Sequence, residues 1–401
     1  MNGIERIAAR WLGHMLIVLA MAGAVACSKD GDEAPPVAEQ TRTVLIYLAA
    51  DNNLDSYAKQ NIKEMAYGSR GIPANCDLVV YVDPAVADPE NGFDDSAPRL
   101  LHFGYGDSEA RVLKIYPEQN SASPEVLASV IDDACSLYPA ESYGLILWSH
   151  GEGWQPKGVA AYQSMVLRAA GPDDDMPPVK WFGMDGTSMM DVGELQQAIP
   201  DGRFRYIIFD ACFMGGVEVA YALRDKAQYI IGSPAEVIAT GFPYNGLMPA
   251  LFGKESEREI CRRFFDYYNG RSGSWRTATV GLVRTSELEA LAGEVRAIVQ
   301  GRGDRIAALD LSAMQSFSRA LSPLWQFDLD EFMESVATPD QYARFSAQLA
   351  RTVPYAAATP MLFDKLPVDR HCGVASYIFR GGSLNHDNYY KTLEWYKSVY
   401  E

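Results

Sequence analysis

The sequence has no Cys-x-x-Cys pair, no run of basic residues, no internal repeat and only five histidines in its 401 residues. Its six cysteines are scattered at positions 27, 76, 135, 212, 261 and 372. That spacing gives neither a disulfide framework nor a zinc cluster. With 35 basic against 52 acidic residues and a formal charge of −17, the chain is a poor candidate for gripping phosphate backbones, so nucleic acid is not an expected partner. What is present is ordinary globular material. The composition is 48% hydrophobic, 11% aromatic and 22% charged, which excludes a disordered or collagen-like chain and allows one large domain or two modest ones.

The first residues read as an address. Arg6 and Arg10 form a positive region, and the apolar stretch from Met15 to Val25 that follows is too short for a spanning helix. Residues 1–26 are therefore expected to be a signal peptide. Ala24-Val25-Ala26-Cys27 resembles a lipobox, with Ala24 where leucine is usual, and Cys27 would carry the lipid. The acidic Ser28-Lys29-Asp30-Gly31-Asp32-Glu33 resembles the export tags of bacterial surface lipoproteins. Residues 27–42 then form a tether, and the expected location is periplasmic or cell-surface, with membrane contact through the lipid only. Simple cleavage after Ala26, releasing a free protein, is the alternative. Once Cys27 is set aside, an odd number of cysteines remains, so at least one thiol needs burial or a purpose.

Beyond the tether, short apolar runs alternate with helical patterns, the signature of an α/β fold with a mostly parallel sheet. Strands are expected at Thr43–Ala49, Asp77–Val82, Tyr143–Trp148, Tyr206–Phe209 and Tyr229–Ile231. Leu100–Phe103 reads as half of a hairpin. Helices are expected from Leu54 to about Met65, after the Ser123-Pro124 cap, and from Gly215 to Leu223. Gly151 to about Met184 is a long irregular insertion, of the kind that is usually functional or disordered. Further on, Thr277–Val283 reads as a strand, Leu288, Leu291, Val295 and Ile298 mark a helix face, and Leu311–Leu349 reads as largely helical. Val374–Phe379 is a late strand and Tyr390–Tyr400 a closing helix.

The reactive residues sit at two strand ends. The third strand runs into Ser149-His150-Gly151-Glu152-Gly153-Trp154, and the fourth into Asp210-Ala211-Cys212-Phe213-Met214-Gly215-Gly216. In open α/β sheets, ligands bind at the carboxyl ends of the strands. If these two strands are neighbours, about 4.8 Å apart, His150 and Cys212 face one cleft. A thiol needs a base beside it to act as a nucleophile, and a histidine can supply that and then protonate a leaving amine. Gly151 and Gly153 would let a substrate backbone come close. The N–H groups of Gly151 and Cys212 are candidate oxyanion donors. A helix starting near Gly215 would aim its positive end at Cys212. His371-Cys372 is the one competing neighbourhood, and it lacks a separate strand end to hold one partner. Asp185 and Asp191 read as turn and cap residues.

Taken together, these motifs resemble the clostripain family of cysteine peptidases, in the caspase-like clan. Those enzymes carry His-Gly after one strand and Asp-x-Cys after the next. Tyr47-Leu48-Ala49-Ala50-Asp51-Asn52-Asn53-Leu54, Ser233-Pro234-Ala235-Glu236 and Gly241-Phe242-Pro243-Tyr244 extend the likeness over roughly residues 43–400. The resemblance implies a caspase-like three-layer α/β/α sandwich, with a catalytic domain at 43–250 and a region at 251–401 that completes it or packs on it. It implies an exported endopeptidase that works through an acyl-enzyme, with Cys212 as nucleophile and His150 as acid/base. Arg or Lys is expected before the scissile bond (P1), met by Asp210, with Ser233 and Glu236 lining the site for a peptide or protein substrate. The sequence departs from the family at Val237-Ile238-Ala239-Thr240-Gly241, where basic-specific relatives have a longer glycine-rich turn bearing another acid. Relatives can cut themselves between the two motifs, where Lys157, Arg168 and Lys180 are available. No cofactor or metal is required by this chemistry. Some relatives use calcium, and Asp173-Asp174-Asp175 is the acidic run that could bind it. The other readings are a catalytically silent surface lipoprotein of the same fold that binds peptide or glycan, and hydrolysis of a non-peptide amide by the same dyad.

Overall fold

The computed structural model describes residues 35–157, 177, 185, 188–318, 325–382 and 385–401. The signal segment, Cys27, the Asp173 run, Arg168 and Lys180 lie outside them. From Pro36 to Glu401 the chain forms one compact unit built on a nine-stranded sheet.

The strands are β1 (Arg42–Ala50), β2 (Asp77–Pro84), β3 (Arg99–Phe103), β4 (Arg111–Ile115), β5 (Ser142–Trp148), β6 (Phe204–Asp210), β7 (Ala227–Gly232) and β8 (Thr279–Arg284). Three two-residue strands, β9 (Phe327–Asp328), β11 (Met361–Leu362) and β12 (Leu366–Pro367), lie outside the main sheet, as does β13 (Ala375–Ser376). The ninth member of the main sheet is β10 (Tyr355–Ala358). The order across the sheet is β10-β8-β7-β6-β5-β1-β2-β3-β4. The five central strands, β7 to β2, run parallel, while β3, β4 and β8 are antiparallel to their inner neighbours. All nine residues of β1 are buried. This is why Val44-Leu45-Ile46-Tyr47-Leu48 reads as a continuous apolar run: a parallel strand covered on both faces has no polar side to alternate with.

Helices cover the two faces. On one, α1 (Asp55–Gly68) packs on α5 (Tyr244–Phe252), which meets α6 (Glu257–Asn269). On the other, α2 (Pro124–Leu137), α3 (Val192–Ala198) and α4 (Val217–Ala222) lie in succession, joined by α7 (Leu288–Val299) and α12 (Glu394–Tyr400). Right-handed crossovers require this split, because the chain moves outward from β1 to β2 and then steps back through β5, β6 and β7. The caps follow the sequence signals. The Ser123 hydroxyl accepts from the N–H groups of Glu125 and Val126, and Asp191 forms a reciprocal capping box with Glu194.

The later region corrects the sequence reading in three places. Leu311–Leu349 is not one helical stretch: β9 interrupts it, and α9 (Leu329–Val336) and α10 (Pro339–Thr352) are separated by the Thr338-Pro339 cap. The Val374–Phe379 strand contracts to β13, because its partner β9 offers only two residues to pair with. The closing helix breaks at Thr392-Leu393 into α11 (Asn385–Tyr390) and α12, and α8 (Gly303–Ala307) adds a short turn earlier. Among the described residues no helix is long and apolar enough to cross a membrane.

Candidate active site

Strand register brings the loops of His150 and Cys212 together. β5 and β6 are parallel neighbours, and their last register pair is Trp148 with Asp210. His150 and Cys212 each lie two residues past that pair, in the loops that leave adjacent strand ends. The loops touch. A Cβ on Gly151 would stand 2.0 Å from the Cys212 carbonyl oxygen and 2.8 Å from its nitrogen. Glycine at 151 thus makes room for the Cys212 backbone, where the sequence suggested room for a substrate. It also brings the two expected oxyanion donors, Gly151 and Cys212, side by side.

His150 is held from β1. At that strand's carboxyl end, Asn52 N–H donates to the Ala50 carbonyl at 2.7 Å, and the Asn52 side chain accepts from Leu54 N–H at 2.9 Å. The Ser149 hydroxyl donates to the Ala49 carbonyl at 2.9 Å, tying the histidine loop to the same strand end. This turn presents Asn53, whose Oδ1 lies 2.9 Å from His150 Nε2. Because an amide oxygen only accepts, the bond puts the proton of the neutral ring on Nε2 and makes Nδ1 its basic nitrogen. In the sequence, Asp51-Asn52-Asn53 follows the first expected strand, but nothing there assigns Asn53 a role. The available signal was that β1 and the histidine strand both end on the ligand-binding rim.

Cys212 is cradled by the segment after β7. Val237 N–H donates to Sγ at 3.1 Å, and the thiol in turn donates to the carbonyl of the same residue at 3.6 Å. Phe213 N–H donates to the Ala235 carbonyl at 3.0 Å and Gly215 N–H to the Ser233 carbonyl at 2.8 Å. The residue after Cys212 is strained: Phe213 has φ of +59°, a left-handed conformation that costs a non-glycine residue about 1–3 kcal/mol and tends to occur at functional sites. The expected helix at Gly215 corrects differently. α4 begins at Val217, with Gly216 before it, and has only six residues. The N–H facing the thiol comes from the Val237 backbone, which carries no side-chain signal in the sequence.

The expected substrate-contact residues are dispersed around this centre. Asp210 ends β6 and is fully buried. Its Oδ2 accepts from Phe242 N–H at 3.1 Å and from the Tyr244 hydroxyl at 2.9 Å. Ser233 faces inward, with its hydroxyl 2.7 Å from that of Thr279. Glu236 is buried between Ala235 and Val237, the two residues that bond the Cys212 loop. Lys157 pairs with Glu194 at 2.6 Å on the surface. Asp185 accepts from Ser121 N–H at 2.5 Å. Among the described residues no group of three or more His, Cys, Asp or Glu side chains is arranged to hold a metal.

The competing pair is chemically unsuited. His371 Nε2 donates to the Val280 carbonyl at 3.2 Å, and burial lowers its pKa. Burial also pushes the Cys372 thiol well above its ordinary range, opposite to what a nucleophile needs. At the main site both His150 and Cys212 are 0% exposed.

Comparison with known proteins fits the geometry. The family model described as the clostripain family matches residues 46–349. Clostripain of Hathewaya histolytica is 27% identical over 312 residues, covering 71% of this chain and 56% of the relative, so the match spans little more than half of that protein's length. An inactive zymogen C11 protease from Parabacteroides distasonis superposes with a TM-score of 0.76 at 33% identity, covering 92% of this chain and all of the other. A secreted C11 cysteine protease from Bacteroides thetaiotaomicron, in complex with an irreversible peptide inhibitor, gives 0.74 at 27% identity, over 89% of this chain and 98% of its own. The shared architecture is the caspase-like sandwich, with a mostly parallel central sheet between helices.

Proposed function

The chain belongs to the clostripain family of cysteine peptidases, and from that premise we propose that it is an exported cysteine endopeptidase whose reacting groups are Cys212 and His150. The observation that carries this is the equal offset of both residues past the Trp148–Asp210 register pair. His150 takes the thiol proton and the thiolate attacks the scissile carbonyl carbon. The N–H groups of Gly151 and Cys212 receive the oxyanion. His150 then returns the proton to the leaving amine, leaving a thioester on Cys212. Water, deprotonated by His150, hydrolyses the thioester and restores the thiol. Asn53 holds the ring through Nε2 in every step.

Arg or Lys is the proposed P1 residue. A buried carboxylate two residues before the nucleophile supports this, since Asp210 would pair with a cation brought into the site. The buried dyad supports a latent form that must open before substrate enters, in keeping with the relative described as an inactive zymogen. Cleavage after Lys157, Arg168 or Lys180 is the proposed activation. Export through residues 1–26, with a lipid on Cys27, completes the reading. It is supported by the relative described as secreted. Calcium, if used, acts at the Asp173 run.

The test is a peptide library varied at P1, offered to the protein before and after limited tryptic cleavage. Activity after Lys or Arg that appears on cleavage and vanishes in Cys212→Ala is the expected result. A silent, peptide-binding lipoprotein would show saturable binding and no turnover in either form.

A further inference from the structure

The proposed dyad is braced from the far end of the chain. Trp325 and Gln326, just before β9, enter between the two catalytic loops. Gln326 is 0% exposed, and its Nε2 donates to the Phe213 carbonyl at 3.2 Å. The same nitrogen lies 3.1 Å from where a Cβ on Gly153 would stand and 3.7 Å from that of Gly216. It therefore sits at the junction of the histidine loop, the cysteine loop and the start of α4. Gly153 (φ +63°) lacks the side chain that would collide there. The Phe213 ring packs on Trp325 at 5.2 Å, and Trp325 meets Trp154 of the histidine loop edge-on at 6.4 Å. β9 is itself fixed by pairing with β13, and Ala375 N–H on β13 donates to the Gly215 carbonyl at 3.0 Å.

We propose that Gln326 is a positioning residue for the nucleophile: by holding the Phe213 carbonyl it fixes the peptide after Cys212, and with it the direction of Sγ. Phe213 sits in a conformation that its side chain disfavours, so something must hold it there. Both polar atoms of its backbone are tied, the N–H to the Ala235 carbonyl and the carbonyl to Gln326. The first tie comes from the segment after β7. The second is the only one of the two supplied by a side chain, so substitution can remove it alone. Gln326 touches no reacting atom, and its effect passes through the Phe213 peptide. The inference rests on the dyad proposed above.

Gln326→Met keeps length and volume and removes the donor. On the activated protein, kcat is expected to fall about tenfold or more with KM nearly unchanged, because a small misdirection of a reacting atom costs rate more than affinity. Alkylation of Cys212 by iodoacetamide should slow in parallel. Gln326→Glu supplies a donor only when protonated, so its kcat relative to the parent should rise as pH falls. The titratable groups around this position are Glu218 on α4, whose Oε2 is 3.0 Å from the Gly216 Cβ position, the Tyr377 and Tyr390 phenols, and Asp328 on β9 itself. The parent must be run at every pH to remove their share. An unchanged kcat in Gln326→Met overturns the proposal. So does a loss that only tracks the folded fraction while the folded molecules alkylate at the parent rate, or a flat pH ratio for Gln326→Glu. If Cys212→Ala is inactive in these same assays, such a result condemns the clamp and leaves the dyad standing. Activity surviving in Cys212→Ala condemns the dyad itself.

Discussion

Replacing Asn53 by alanine deletes one hydrogen bond, the 2.9 Å contact from His150 Nε2. The ring carries positive charge when it has taken the thiol proton, and a hydrogen bond to a charged group is worth about 1.5–3 kcal/mol. At 1.36 kcal/mol per tenfold, that is a rate loss of about 10- to 150-fold. Asn53 itself lies at the exposed rim, where water can take the place of the amide oxygen, so the lower end, about tenfold, is expected. Because the bond orients the base without touching substrate, kcat and kcat/KM should fall together. Asn53→Asp sharpens the test. A carboxylate at this distance favours the imidazolium, so the alkaline limb of the pH–rate profile should move upward while the acid limb stays. The assay is hydrolysis of a Lys-P1 peptide by the cleaved protein, normalised by titration of reactive thiol. An alanine variant with full kcat and an aspartate variant with the parent profile would refute the claim that Asn53 sets the histidine's tautomer.

Gly151→Ala should abolish turnover and lower Tm. Its Cβ would fall 2.0 Å from a backbone oxygen, and overpacking of this kind costs about 1–3 kcal/mol beyond the displaced nucleophile. Asp210→Asn should lower kcat/KM for Arg and Lys substrates about 10- to 100-fold while sparing neutral P1 residues, measured across the library; an equal loss for both classes would remove Asp210 from recognition. Asp83→Asn should raise Tm at pH 8 and lose that advantage toward pH 4. Neither Asp83 carboxylate oxygen has a hydrogen-bond partner within normal distance among the described residues, and burial, with Asp185 nearby, raises its pKa from 3.8 to about 8 despite the Ser121 hydroxyl close by. The folded state thus holds a proton that the unfolded chain releases, so wild-type stability falls as pH rises from about 4 to 8.

How much of this could be read in the sequence depended on what kind of signal each part leaves. β1, β5 and β6 were legible because strands buried on both faces must be apolar throughout, and their polar ends then stand out as His150 and Cys212. The caps at Ser123 and Asp191 were legible because their chemistry is local. β9 was not, and β13 was read too long, as Val374–Phe379. Two-residue strands have no period, and their existence depends on each other across nearly fifty residues. Asn53 and Gln326 left no pattern for the same reason: each makes a single long-range bond, to His150 and to Phe213. The Val237 N–H is backbone, and any residue but proline could supply it. The glycines at 151 and 153 were recognised, but their reason was misjudged, because the close approach is by the chain itself.

The central claim is that the thiol at 212 and the imidazole at 150 act as one reacting pair. Its most direct test is the pH dependence of iodoacetamide alkylation at Cys212 in the cleaved, opened protein, compared between the parent and His150→Ala by mass spectrometry of the modified peptide. The account predicts fast labelling of the parent at neutral pH and, in the variant, a labelling curve shifted to the alkaline range of an ordinary thiol. Identical curves would mean that the histidine does not activate this sulfur.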